Sequence, residues 1–161
     1  MSTREFYVER LKAEAPAFIK VIRALPAKNA DYRPHPRSRS AAEIAWLLAG
    51  TAKFAVKLVD NHKVDFSEPK AEGSLAAAAD SLDQAQDELL TRVGRVDEAS
   101  WQREAQLLMG GEAAWTAPLG TMLWGLLFDA IHHRGQLSTY IRPAGGKVPS
   151  IYGPSGDDPG A

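Results

Sequence analysis

The stretch LFDAIHHRGQLSTYIR, Leu127–Arg142, is where an apolar helical repeat and a group of polar side chains coincide. At about 100° per residue, Leu119, Leu123, Leu126, Ala130 and Leu137 share the centre of one stripe, the mark of a helix that covers a core. Asp129, His133, Gln136 and Tyr140 run along one edge of that stripe at i, i+4, i+7 and i+11. Asp129 and His133 therefore stack one turn apart, where both can reach a common ion. His132 lies about 100° further from the core. Arg134 falls on the far side of the stripe, where packed helices place inter-helix ion pairs.

Working outward, Pro118 opens this helix and Pro143 follows its end, which bounds it near Pro118–Ile141. Ser74 starts another helix to about Val96, with Leu75, Ala78, Leu82, Ala85, Leu89 and Val93 on one side. Ser40 to Glu43 is a capping box. The helix it begins runs to about His62, with Ile44, Leu47, Leu48, Thr51, Ala55 and Leu58 inward and Glu43, Lys53 and Lys57 outward. The first helix spans Thr3 to about Leu25, capped by Ser2 or Thr3, and Pro16 is expected to kink or split it. PAKNADYRPHPRSR and VDFSEPKAEG read as loops. In ASWQREAQLLMGGEAAWTAP the rhythm breaks, and Gly110-Gly111 marks a hairpin-like excursion. Residues 145–161 hold too many glycines and prolines for regular structure and read as an extended tail. The expected fold is all-α, a four-helix bundle in a single domain over residues 1–161.

The 161 residues suit one domain and bury enough surface to fold without a disulfide or metal. Cysteine is absent, which excludes disulfides, thiolate metal sites and a cysteine nucleophile and is compatible with a reducing cytosol. Nineteen Lys and Arg against 20 Asp and Glu leave no basic footprint for nucleic acid. The charged start is no secretory signal, and no uncharged apolar run approaches the roughly 18 residues of a membrane span. A cytoplasmic domain is expected.

Asp129 and His133 admit two readings. They are suitable ligands for zinc, nickel, iron or manganese, and facing helices can supply the rest of a site. They are equally a salt-bridged pair at a bundle edge. His35, between two prolines, reads as a loop anchor, and His62 as a complement to its helix dipole. Trp46, Trp101, Trp115 and Trp124 read as core and hairpin packing. Tyr152 is expected to plug back against the bundle, and Asp157 and Asp158 to be solvated.

FDAIHHRGQLSTYIRPAGGKVPSIYG (Phe128–Gly153) resembles the C-terminal signature of the DinB-like family of metal-dependent four-helix-bundle proteins. YRPHPRSRSAAEIAW (Tyr32–Trp46) resembles the segment that leads into the family's second helix. The resemblance implies a site of three histidines binding zinc or nickel, one from the second helix and two from an H-x-x-x-H pair on the last. The pair falls on Asp129 and His133, and the second-helix histidine on Leu47, which cannot coordinate a metal. Some relatives are transferases or isomerases that use a low-molecular-weight thiol such as bacillithiol or mycothiol. A divalent-metal-dependent small-molecule enzyme is thereby implied, a thiol-dependent transferase or a hydrolase. Asp129 and His133 would be its ligands, with His133 and His132 carrying the chemistry. The alternatives are a bundle that has lost its metal site and serves as a binding or stress-associated scaffold, and a metal-free site with His133 as general base. A homodimer through apolar helix faces is the expected assembly.

Overall fold

Three of the long helices begin at a serine whose hydroxyl accepts from the third helical N–H. In the computed structural model, which describes residues 2–160, Ser2 caps α1 (Thr3–Arg23), Ser40 caps α2 (Ala41–Asn61) and Ser74 caps α3 (Leu75–Arg95). Glu5 and Glu43 complete capping boxes at the first two. The backbone N–H groups of Ser2 and Ser40 hold these carboxyls below their usual value. Pro16 does not split α1, which runs through it. Pro16 and Lys12 are both exposed, so water can take the Lys12 carbonyl that loses its helical partner.

The chain continues as β1 (Lys63–Asp65), α3, a short α4 (Glu98–Gln102), β2 (Glu104–Met109), β3 (Glu112–Pro118) and α5 (Leu119–Tyr140). The strands form one sheet in the order β1-β2-β3, with β1 parallel to β2 and β2 antiparallel to β3. The all-α expectation is corrected accordingly: the protein is mostly helical, with five helices and a small sheet. β1 overlaps the start of the stretch that read as a loop, because three residues are too few to show alternation. Parallel pairing needs a long crossover, which α3 and α4 provide. Gly110 and Gly111 turn the expected hairpin with φ of 61° and 86°. The Asp65 carboxylate accepts both of their N–H groups, at 3.1 and 2.8 Å, and so ties β1 to the turn.

α3 and α5 each pack against α1 and α2, which leaves α1 and α2 mainly facing each other across the core. Phe18, Ile22, Ile44, Leu58, Leu82, Leu123 and Leu137 are fully buried there. Where the four long helices meet lies a cavity of about 30 Å³ bordered by Leu11, Leu48, Thr51, Gln86 and Ala130. That is room for about one water. The expected centre of the α5 stripe is buried at Leu119, Leu123 and Leu137, whereas Leu126 and Ala130 are half-buried beside this cavity. No helix among the described residues is long and apolar enough to cross a membrane.

Candidate functional site on the last helix

The polar edge of α5 is a directed chain of hydrogen bonds. The Arg39 carbonyl, just ahead of α2, can only accept, so the Tyr140 hydroxyl donates to it at 3.2 Å. Tyr140 in turn accepts from the Gln136 amide nitrogen at 3.3 Å. That turns the Gln136 carbonyl oxygen toward His133, where it accepts from Nδ1–H at 3.1 Å. In the neutral ring Nε2 is then the unprotonated nitrogen, and it faces Asp129 Oδ2 at 3.6 Å. A backbone carbonyl beside α2 thus sets the tautomer of a histidine two turns away on α5.

His132 is exposed and meets His133 edge-to-face, with ring centroids 5.2 Å apart. Among the described residues it has no hydrogen-bond partner. His35 accepts from the Arg37 N–H at 3.1 Å and shapes its own loop. His62 ends α2 in the left-handed region at φ 58° and joins Arg103 (3.3 Å) to the Ser100 carbonyl (3.4 Å). It therefore ties helix α2 to helix α4 rather than only answering a dipole. Asp157 and Asp158 are not free solvated charges. Asp157 accepts from Val148 N–H and Arg142, and Asp158 from the N–H groups of Ser150 and Gly160. The backbone donors hold both carboxyls below the usual aspartate value.

Two further features stand out: the inter-helix ion pair expected of Arg134, which Tyr152 packs back upon, and an aromatic ladder that the sequence did not reveal. Arg134 is 2 % exposed and paired with Glu14 of α1 at 2.5 Å, an ion pair inside the helix interface. Glu14 sits three residues after Leu11 and four before Phe18, on the apolar stripe of α1, which is a readable anomaly. The Tyr152 hydroxyl closes the triad, accepting from Arg134 and donating to Glu14. The second feature is an aromatic ladder of Phe6, Trp124 and Phe128, with successive centroids 5.5 Å apart. Its outer rings, Phe6 and Phe128, are 48 % and 61 % exposed. Trp101 and Trp115 pack against Gly120 and Gly125, as packing residues should.

Compared with known families, residues 1–159 match the DinB family. The chain belongs to the DinB family. A DinB-like protein of Bacillus cereus shares the fold with a TM-score of 0.75 at 16% identity, covering 92% of this chain and 97% of that one. A DinB-like protein of Bacillus subtilis does so with a TM-score of 0.70 at 16% identity, covering 88% and 93%. None of the curated proteins matches this chain.

The divalent ion implied by the family resemblance can be tested against the donors of this DinB protein. Two ligands of a tetrahedral ion, each roughly 2.0–2.2 Å from it, stand about 3.4 Å apart. The 3.6 Å between His133 Nε2 and Asp129 Oδ2 is close to that edge. A metal-bound imidazole also donates its other N–H to an oxygen that fixes the ring, as His133 Nδ1–H does to Gln136. The shortfall is in number. Among the described residues no three His, Cys, Asp or Glu side chains come together, and Leu47 is a buried hydrocarbon. Two donors, one of them more than half exposed, do not fit a resident ion, which needs three protein ligands even in an open catalytic site.

Proposed function

We propose that this DinB-family chain is a four-helix bundle whose metal centre has lapsed and which acts as a binding protein. The observation that carries this is Leu47, buried on α2 at the position that the family resemblance gives to the third ligand. What supports it further is that Gln136 and Tyr140 satisfy their own hydrogen bonds and direct the chain to a backbone carbonyl rather than into a cavity. The partner we propose is a second copy of the chain, seated on the Phe6–Trp124–Phe128 ladder, since exposed contiguous aromatics of this kind mark interaction surfaces.

A second reading is favoured by the fixed tautomer of His133. With Nδ1–H tied to Gln136, Nε2 is free to take a proton, and Asp129 stands where it stabilises the cation. On this reading the protein is a metal-free small-molecule enzyme with His133 as general base.

Metal analysis of the chelator-treated protein and of Leu47→His, each re-exposed to zinc or nickel, tests the first reading. The parent should retain well under one ion per chain and the variant close to one, lost again in Leu47→His/His133→Ala. A parent that holds stoichiometric metal through His133 defeats it, and restores the metal-dependent transferase or hydrolase. Screening with low-molecular-weight thiols then follows.

A further inference from the structure

The C-terminal tail covers a buried ion pair with one of its own side chains. Tyr152 is 74 % exposed, the most exposed of the large apolar side chains among the described residues, yet its hydroxyl reaches a deeply buried charged pair. It accepts from Arg134 at 2.5 Å and donates to Glu14 at 2.9 Å. The guanidinium carbon lies 5.0 Å from the centre of its ring and 4.8 Å from that of Phe18. The contact is therefore small in area and specific in chemistry.

That chemistry selects a ligand class. The pair offers an acceptor, Glu14 Oε2, beside a donor, Arg134 Nη2, and one atom answers both only if it can donate and accept at once. A carboxylate would be repelled by Glu14, and an ammonium by Arg134. A neutral hydroxyl satisfies both, and an aromatic ring attached to it packs against the guanidinium as that of Tyr152 does. We propose that the Glu14–Arg134 pair is a recognition site for a phenol or aryl alcohol, held shut in this structure by Tyr152.

Residues 145–160 contain no helix or strand, and much of their hydrogen bonding is internal, Asp158 to Ser150 and Ser155 to Val148. Gly145 and Gly146 N–H groups anchor its start to the end of α5, and beyond them the Tyr152 hydroxyl, the Arg142–Asp157 pair and the partly buried Val148 and Ile151 tie it to the body. A displaced Tyr152 leaves two buried charged groups short of a partner, a deficit that a ligand hydroxyl removes. This inference stands apart from the fate of the Asp129–His133 pair, which lies on another edge of α5.

The test uses the full chain and p-cresol, the side chain of tyrosine as a free molecule. Tyr152→Ala should bind p-cresol in calorimetry, bind toluene at least tenfold more weakly, and lose the preference in Tyr152→Ala/Glu14→Leu, which has no acceptor. The parent should bind p-cresol more weakly than Tyr152→Ala, because the tail competes, and saturating p-cresol should speed tryptic cleavage at the exposed Lys147. Equal affinity of Tyr152→Ala for toluene and p-cresol would mean a bare hole and would overturn the proposal. So would no binding to Tyr152→Ala, or a parent whose tail stays uncleaved at saturation. The toluene comparison needs only Tyr152→Ala, so the outcome does not depend on how well the Glu14 variant folds.

Discussion

Arg134→Met is the perturbation with the largest expected effect on stability. It keeps an unbranched apolar stem and removes the charge, leaving Glu14 as a buried carboxylate with the Tyr152 hydroxyl as its remaining partner. Breaking a buried pair by removing one member costs about 3–5 kcal/mol, because the survivor keeps its desolvation without its counter-charge. Domains are stable by about 5–15 kcal/mol in all, so this is a large fraction. At roughly 2–4 °C per kcal/mol for a chain of this size, the melting midpoint should fall by about 6–20 °C. Glu14→Leu should cost a similar amount, since it strands the guanidinium beside two rings. Glu14→Leu/Arg134→Met removes both charges together, and similar volumes of hydrocarbon replace them. Its expected cost is within about 1.5 kcal/mol of zero, far less than the sum of the two single changes. Urea unfolding followed by far-UV circular dichroism measures all four proteins, with comparable slopes required before midpoints are compared. Single variants that each cost under about 1 kcal/mol, or a double variant equal to their sum, would refute the coupling read from the geometry.

Phe128→Glu should convert a dimer to a monomer in size-exclusion chromatography with light scattering, and a parent that is already monomeric removes the proposed interface. Gly120→Ala places a methyl group against the Trp101 indole and should cost about 1–3 kcal/mol, visible in urea unfolding and in Trp fluorescence. Gly135→Ala, where a Cβ meets nothing, should instead stabilise by about 0.5–1 kcal/mol; the reverse ranking would contradict the packing described. Asp157 and Asp158 have lowered values in the folded tail, so their support is full well above the ordinary aspartate value of 3.8 and fades as pH falls through the lower folded values. The NMR shifts of the Val148 and Ser150 amides should hold steady from pH 7 to about 5 and move only in stronger acid. Movement between pH 7 and 5 would contradict that assignment.

The parts of the fold legible in sequence were those fixed by neighbours along the chain. Serine caps at positions 2, 40 and 74, the inward face of α2 and the Gly110-Gly111 turn all carry local signals, and each is observed. β1 was illegible because Lys63–Asp65 becomes a strand only by pairing with residues beyond a 21-residue helix. At the candidate site the same division holds. Asp129, His133, Gln136 and Tyr140 could be aligned from helical spacing, but the direction of their hydrogen bonds depended on the Arg39 carbonyl, 101 residues away from Tyr140. Arg134 was placed correctly toward another helix, whereas its burial depended on Glu14, 120 residues back. Asp157 and Asp158 looked like surface charge because nothing in their own spacing shows that the tail folds back upon itself.

The diagonal placement of α1 and α2 bears on the order in which the chain folds. α2 and α3 are neighbours both in sequence and in space, so they can form a helical hairpin without closing a long loop. α1 has no such local partner. It must wait for α3 and α5, the second of which begins 96 positions after α1 ends, and its buried Glu14 finds a counter-charge only when α5 docks. The α2–α3 hairpin is therefore the natural nucleus, and α1 and α5 are expected to join it late and together. Mutations on the α2–α3 contact should slow refolding, while those around Glu14 should chiefly hasten unfolding. The ion pair would then act as a clasp on the finished molecule rather than a guide to its assembly.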